Sequence, residues 1–216
     1  MADIRKVQRR IKSAQNIAKI TRAMEMVAAS KMRRAQERGL AGRPYSEKIE
    51  QVIADLAALQ GVEEQHPLLD RRPLKNIAVV HITPDRGLCG GLNSNLNRHL
   101  GGFVLGQNVP VNVVAVGRKG RDFIVRNNID IRADFTQMGD RPTFLDTLPI
   151  SQIIIDDYCG GLIDMVYVSF ARFISTMVQT PAMKQLLPVE PAVIPKAENV
   201  DYIYEPGAAD VLEGLL

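Results

Sequence analysis

Cys89 is the side chain in this sequence best placed to act as a nucleophile. It lies in the glycine-bearing segment 82–93 (ITPDRGLCGGLN), with His81 and His99 close by in sequence and Asp85 able to orient a base. A thiol activated by an imidazole that is itself held by a carboxylate is one arrangement that covalent catalysis uses. Spacing alone is weak support for it, and a small buried thiol is the plainer reading. The same segment follows an apolar run and precedes a helical pattern, where a phosphate-binding loop would sit. However, Gly87, Gly90 and Gly91 do not make G-x-G-x-x-G, and no G-K-S/T follows. They read instead as a tight strand-to-helix turn that needs positive φ. Asp156 and Asp157 are neighbours in a helical pattern, so they point about 100° apart and cannot act as a carboxylate pair. His66 precedes Pro67 in a polar stretch and reads as solvated. Cys89 and Cys159 fit no metal spacing, so neither a metal nor a cofactor is expected. Two lone thiols without a signal sequence suggest a reducing compartment.

The charge is unevenly spread. Overall the 216 residues carry +3, but residues 1–43 hold twelve basic side chains against three acidic ones, leaving a net −6 for the rest. A rod with that surplus implies an anionic partner. Nucleic acid is one candidate. Against it, the segment lacks interleaved aromatics, and its apolar stripe asks for a partner helix. A transit peptide would also be amphipathic and Arg-rich, yet the pattern runs past Arg34 without a break. No apolar run approaches the roughly 18 residues that span a bilayer, so any membrane link is expected to pass through a partner.

The stripe itself is the strongest pattern. Ile4, Val7, Ile11, Ala14, Ile17, Ile20, Met24, Val27, Met32 and Ala35 recur mostly at gaps of three or four, the period of one helix face. A helix of about 38 residues would be roughly 57 Å long. It is expected to continue or restart after Gly39–Pro44, because Ile49, Val52, Ile53, Leu56 and Leu59 mark a helical face again and Pro44 with Gly42 could kink it. Residues 61–73 read as a loop.

Beyond that the period changes. Asn76–Thr83 and Val111–Gly117 read as buried strands. Helices are expected over Gly90–Leu100, Arg118–Asn127 and Thr147–Gly160. Asp164–Ser175 reads as a strand with one wetter face, and Thr180–Val189 as its antiparallel neighbour. Strands alternating with helices suggest a small α/β domain with a mainly parallel sheet. The expected division is a coiled-coil helix over 1–60, a linker over 61–74, the α/β domain over 75–204 and the start of a further helix over 205–216. Two apolar leucines close that last stretch within its first turns, as if the chain were cut short.

The run Lys19–Gln36 (KITRAMEMVAASKMRRAQ), with Arg43–Tyr45 (RPY), closely resembles the N-terminal helix of the gamma subunit of F-type ATP synthases. The loop ITPDRGLCGGLN resembles that family's hallmark after its first strand, and DYIYEP resembles its approach to a C-terminal helix. The resemblance runs in order over the whole chain. It implies a Rossmann-like α/β domain between two long helices that wind into an antiparallel coiled coil, the central shaft of a rotary motor. It also implies a C-terminal helix that continues well beyond Leu216, so the chain would be a natural truncation, a gene fragment or an engineered piece, and its ability to act as a shaft is in question. By the same resemblance Arg9 and Arg10 would meet a catch loop of a catalytic subunit. Lys31, Arg34 and Arg86 would face acidic lever loops, and Met24 would lie where shaft packing meets the lever. Asp85, Gly87, Leu88, Cys89, Gly90 and Gly91 would form the structural loop, on a face that docks the epsilon subunit. The implied partners are the alpha and beta subunits of the catalytic head, the epsilon subunit and the membrane rotor ring of c subunits. The implied location is peripheral, on the cytoplasmic side of the bacterial inner membrane, and the chain would not itself be catalytic. The competing classes are a non-functional fragment of that subunit, a basic nucleic-acid-binding coiled coil with steeply salt-dependent affinity, and an enzyme that binds a dinucleotide in isolation.

Overall fold

The computed structural model describes residues 2–57, 66–139, 141–190 and 211. The chain divides into two units, Met1–Val52 and Ile53–Leu216.

The described residues of the first unit are all helical and belong to α1, Ala2–Ala57. No glycine precedes Gly39, and Asp3 in the first turn opposes the helix dipole. The helix does not restart at Gly39–Pro44. Pro44 lies inside one unbroken element, since a single proline removes only one of the many i→i−4 bonds that hold a long helix. Every described residue from Asp3 to Ala35 is exposed.

In the second unit five strands form one sheet in the order β3-β2-β1-β4-β5. The strands are β1 (Ile77–Ile82), β2 (Val111–Val116), β3 (Ile131–Phe135), β4 (Met165–Phe173) and β5 (Gln179–Leu187). β1 runs parallel to β2 and β4, β2 parallel to β3, and among the described residues only the β4–β5 hairpin is antiparallel. This is the expected mainly parallel sheet with an antiparallel edge. β1 is central and buried on both faces, which is why it reads as a continuous apolar run. Ala78 and Val80 turn to one core with Val114, Val116, Ile154, Tyr158 and Val166. Ile77 and Val79 turn to the other with Val113, Leu100 and Ile124.

The helices of this unit are α2 (Leu92–Leu105), α3 (Arg118–Arg126) and α4 (Phe144–Cys159). α3 is as expected, and the other two differ from expectation. α2 runs past Leu100 through two glycines, and a Cβ on Gly101 would lie 3.4 Å from the Phe123 ring, so α2 and α3 approach closely there. α4 starts at Phe144 rather than Thr147, because the Asp146 carboxylate accepts from both the amide and the hydroxyl of Thr143, each at 2.7 Å, and sets the first turn. The loop expected over residues 61–73 includes, in its described part, a short 3-10 turn, Pro67–Leu69, whose two leucines are buried. β3 was not foreseen. The expectations for residues 58–65 and for DYIYEP lie outside the described residues.

Candidate functional site

The hallmark segment 84–91 leaves the carboxyl end of β1 beside the start of α3. Two glycines make that junction possible. Gly117 has φ 97°, and a Cβ there would sit 1.8 Å from the Thr83 carbonyl oxygen. A Cβ on Gly120 would press within 2.8 Å of both His81 Cδ2 and Thr83 Oγ1. With neither in the way, the Gly120 amide donates to Thr83 Oγ1 at 2.8 Å, and that hydroxyl is in reach of the Val116 and Gly117 carbonyls. The carboxyl ends of β1 and β2 and the start of α3 are thereby drawn together by the chain's own groups.

Asp85 completes the junction. Its Oδ1 accepts the amide of Arg118, the first residue of α3, at 2.9 Å, and its Oδ2 accepts the amide of Gln137 at 2.9 Å. Arg118 returns the contact through its guanidinium, which donates to the Asp85 carbonyl at 3.3 Å. Asp85 is therefore a long-range N-cap for α3 and not the orienter of a catalytic base.

Beyond Asp85 the segment carries Arg86, exposed, and Leu88, which is 97% exposed. Leu88 has φ 61° and Gly90 φ 60°. Asn93 folds back from α2, donating to the Arg86 carbonyl at 3.4 Å and to Cys89 Sγ at 3.1 Å. Cys89 is half-buried, so it is neither a core thiol nor an open one.

The nucleophile constellation is not assembled. His81 is fully buried, with Nδ1 3.0 Å from Ser169 Oγ and Nε2 3.0 Å from Asn97 Oδ1. Asn97 Nδ2 donates to the Lys119 carbonyl, which fixes Oδ1 as the acceptor and Nε2 of His81 as the N–H. Burial holds the imidazole below its usual pKa, against the opposing effect of the Asn97 bond, and nearby His99 adds a smaller lowering. His99 is exposed on α2. His66, expected to be solvated, is half-buried and accepts the Leu68 amide at 3.3 Å, capping the 3-10 turn. Asp157 and Asp156 do part company as expected: Asp157 is buried and takes a two-point bond from Arg132 at 2.7 and 2.8 Å, while exposed Asp156 accepts from Gln152. Among the described residues no His, Cys, Asp or Glu cluster could hold a metal.

The remaining expected site residues lie on α1. Arg9, Arg10, Met24, Lys31 and Arg34 are all exposed. Met24, Lys31 and Arg34 follow one another at seven and three residues, so they share one side of the helix. Arg34 lies back along its own helix, with Nε 3.3 Å from the Ser30 carbonyl and Nη2 3.4 Å from its hydroxyl. Arg33 pairs with Glu37 at 3.0 Å, both largely exposed. Around these cations runs the apolar stripe: Ile4, Val7, Ile11, Ile17, Ile20, Met24, Val27 and Met32 are between 48% and 65% exposed. Arg86 belongs to the other unit.

The Asp85 carboxylate and the Asn93 NH2 group are spent on internal bonds; among the described residues Asn93 Oδ1 is buried without a partner and the loop thiol has no imidazole bonded to it. Outward, α1 offers cationic and apolar surface, and the loop after β1 adds Arg86 and Leu88, which suits docking to protein.

The ATP synthase family model matches residues 3–216. The ATP synthase gamma chain of Dehalococcoides mccartyi (strain ATCC BAA-2266) is 61% identical over all of this chain and 76% of its own length. That of Roseiflexus sp. (strain RS-1) is 44% identical, with the same coverage. Among solved structures, the central stalk and c-ring of the Tetrahymena thermophila mitochondrial ATP synthase includes a chain of the same fold, with TM-score 0.66 and 23% identity over 90% of this chain and 84% of that one.

Proposed function

Because the chain belongs to the ATP synthase gamma-chain family, we propose that it is the rotor-shaft subunit of the complex, coupling proton flow through the membrane ring to ATP synthesis in the catalytic head. The observation that carries this reading is α1. A 56-residue helix whose first 35 residues leave a regular apolar stripe in water, flanked by cations, needs a partner helix for the stripe and acidic partners for the charge.

In this reading α1 forms half of an antiparallel coiled coil that turns inside the ring of alpha and beta subunits. Arg9 and Arg10 meet a catch loop, Lys31, Arg34 and Arg86 meet acidic levers, and Met24 packs where shaft and lever touch. The α/β domain docks the epsilon subunit and rests on the c-ring. The chain makes and breaks no covalent bond; it transmits torque. Among the described residues no helix is long and apolar enough to cross a membrane, and the proposed route to the cytoplasmic face of the bacterial inner membrane is through the epsilon subunit and the c-ring. Nucleic-acid binding gains nothing from the geometry, since the basic side chains share α1 with an apolar stripe that a helix, not a phosphate backbone, would cover.

The test is assembly. Expressed with the alpha, beta, epsilon and c subunits, the chain should co-purify with the head and support ATP-driven proton pumping in vesicles. Failure to co-purify with alpha and beta overturns the reading.

A further inference from the structure

Residues 70–76 bring the chain into β1 without regular secondary structure, yet side chains far along the sequence pin them at three places. Tyr158, fully buried on α4, donates its hydroxyl to the Asp70 carbonyl at 2.7 Å. Arg72 returns the contact. Its Nη1 donates to the Tyr158 carbonyl at 2.9 Å, its Nε to Asp70 Oδ2 at 2.9 Å, and its guanidinium carbon stands 5.1 Å from the centre of the Tyr158 ring. For a loop arginine it is well covered, with 22% of its side chain exposed. Buried Asp164 supplies the third pin. Its Oδ2 accepts the amides of Lys75 and Asn76 at 2.8 and 2.9 Å, and its own amide donates to the Asn76 carbonyl at 3.0 Å.

β1 does not need these bonds for its place in the sheet. Ladders to β2 and β4 fix its register, and core side chains fill both its faces. All three pins act before its first residue, and all three land on Tyr158–Asp164, the stretch that turns from α4 into β4. What they hold is the incoming chain. A surface connection normally leaves its backbone to water and is mobile. This one is bonded to groups 86 to 89 residues away.

We propose that Arg72, Tyr158 and Asp164 form a torque-bearing clasp, a set of positioning residues that stops the segment entering β1 from swivelling, so that torque passes between the α/β domain and the chain that leads back to α1. The proposal rests on the rotor-shaft reading and deepens it. An unpinned segment turns about its φ and ψ bonds and yields to a twist. A segment bonded on both sides of Arg72 to one rigid turn does not. The clasp therefore matters when rotation is opposed and little when it is free.

The experiment uses the full chain, alone and assembled with the alpha, beta, epsilon and c subunits in vesicles. Tyr158→Phe keeps the ring and removes the bond to Asp70. Arg72→Lys keeps the charge and removes the fork that reaches both Asp70 and Tyr158. In the free chain each should speed hydrogen exchange at the Lys75 and Asn76 amides about fivefold, the change expected for one lost hydrogen bond, while the sheet amides keep their wild-type rates. In vesicles both variants should hydrolyse ATP and begin pumping protons as wild type does, then stall at a smaller proton gradient. A purely structural role would lower the initial rate and the final gradient together, in step with the amount of complex assembled, and that result overturns the proposal. So does a wild-type final gradient, or unchanged exchange at Lys75 and Asn76. Failure of the wild-type chain to assemble or pump would instead sink the rotor-shaft reading, and this proposal with it.

Discussion

The amide of Gln137 donates to Oδ2 of Asp85 at 2.9 Å across 52 residues of sequence. The other carboxylate oxygen takes the Arg118 amide at the same distance. One side chain therefore ties the turn after β1 to the start of α3 and to the segment after β3, so three strand ends on one edge of the sheet share a single fastener.

Asp85→Asn tests that fastener. Both carboxylate oxygens accept N–H groups, and an amide can accept at only one of them; its NH2 would face a donor. The expected loss is about 1–2 kcal/mol, the low end for an unsatisfied amide at a partly solvated site. For a unit of this size that lowers the melting midpoint by roughly 2–4 °C per kcal/mol. Hydrogen exchange should speed up at the Arg118 or Gln137 amide before the sheet amides change. Unaltered exchange at both would remove Asp85 from this role.

Gly117 and Gly120 are expected to be the least replaceable residues of the junction. At Gly117 an added Cβ meets backbone at 1.8 Å, and its φ of 97° is hostile to any side chain. At Gly120 the obstacles are His81 and Thr83, both packed. Gly117→Ala should cost about 3 kcal/mol or more and Gly120→Ala about 1–3 kcal/mol, the range for overpacking and strain. Urea midpoints check both, and equal midpoints for Gly120→Ala and wild type would show that α3 can shift without loss.

How much of this was legible beforehand follows from the distance of each partner. β1, β2 and the β4–β5 hairpin announce themselves because their burial is written in local apolar runs. β3 hides: Arg132 and Asp134 interrupt five short residues, and both charges are meaningful only beside Asp157 and Arg121. A bulge between Val113 and Val114 shifts the register against β3 at Arg132, which no local pattern betrays. Asp85 looked like a possible catalytic orienter because its true partners are 33 and 52 residues away. The long extent of α2 was masked by Gly101 and Gly102, which read as a stop until Phe123 is seen to need the space. Of the candidate site, the cationic character of α1 is legible from charge alone, while the choice of Arg9, Arg10, Lys31, Arg34 and Arg86 rests on the family resemblance. The posture of Leu88 was not, since nothing in a sequence marks a leucine with positive φ.

His81 should make stability depend on pH. Burial lowers its folded-state pKa below the usual 6.5, while the unfolded chain keeps a histidine near 6.5. The unfolded state therefore takes up the proton first as pH falls. Stability is full above about pH 6.5 and declines below it, with a limiting slope of about 1.4 kcal/mol per pH unit for one proton. The slope ends once pH drops through the folded-state pKa. Urea titrations from pH 7.5 to 5.5 should show the decline in wild type and a flatter profile in His81→Asn, which will also be less stable throughout. A flat wild-type profile would mean that the buried imidazole charges without loss of fold.

Arg34 offers a charge test on α1. An exposed ion pair is worth about 0–1 kcal/mol, so Arg34→Ala in the assembled complex should weaken ATP-driven proton pumping only slightly. Arg34→Glu should weaken it more, because it brings like charges together at an acidic lever. Equal pumping by Arg34→Glu and wild type would take Arg34 out of the interface.

The stripe of α1 sets the behaviour of the chain on its own. Ile4, Val7, Ile11, Ile17, Ile20, Met24, Val27 and Met32 are each about half exposed or more, and fully burying such a side chain is worth roughly 1.5–3 kcal/mol. Two copies that covered even part of this seam would gain several kcal/mol, enough to offset the cost of association at modest concentration. Isolated chain should therefore self-associate through α1, and sedimentation should show a concentration-dependent shift to larger species. Ile11→Lys with Ile20→Lys places two more cations in the seam and should return the chain to a monomer without altering the melt of the Ile53–Leu216 unit, whose cores contain neither residue. High salt should not dissolve the wild-type oligomer, because the repulsion between basic faces is what salt screens. A monomer at every concentration would show that the stripe stays wet until another subunit covers it.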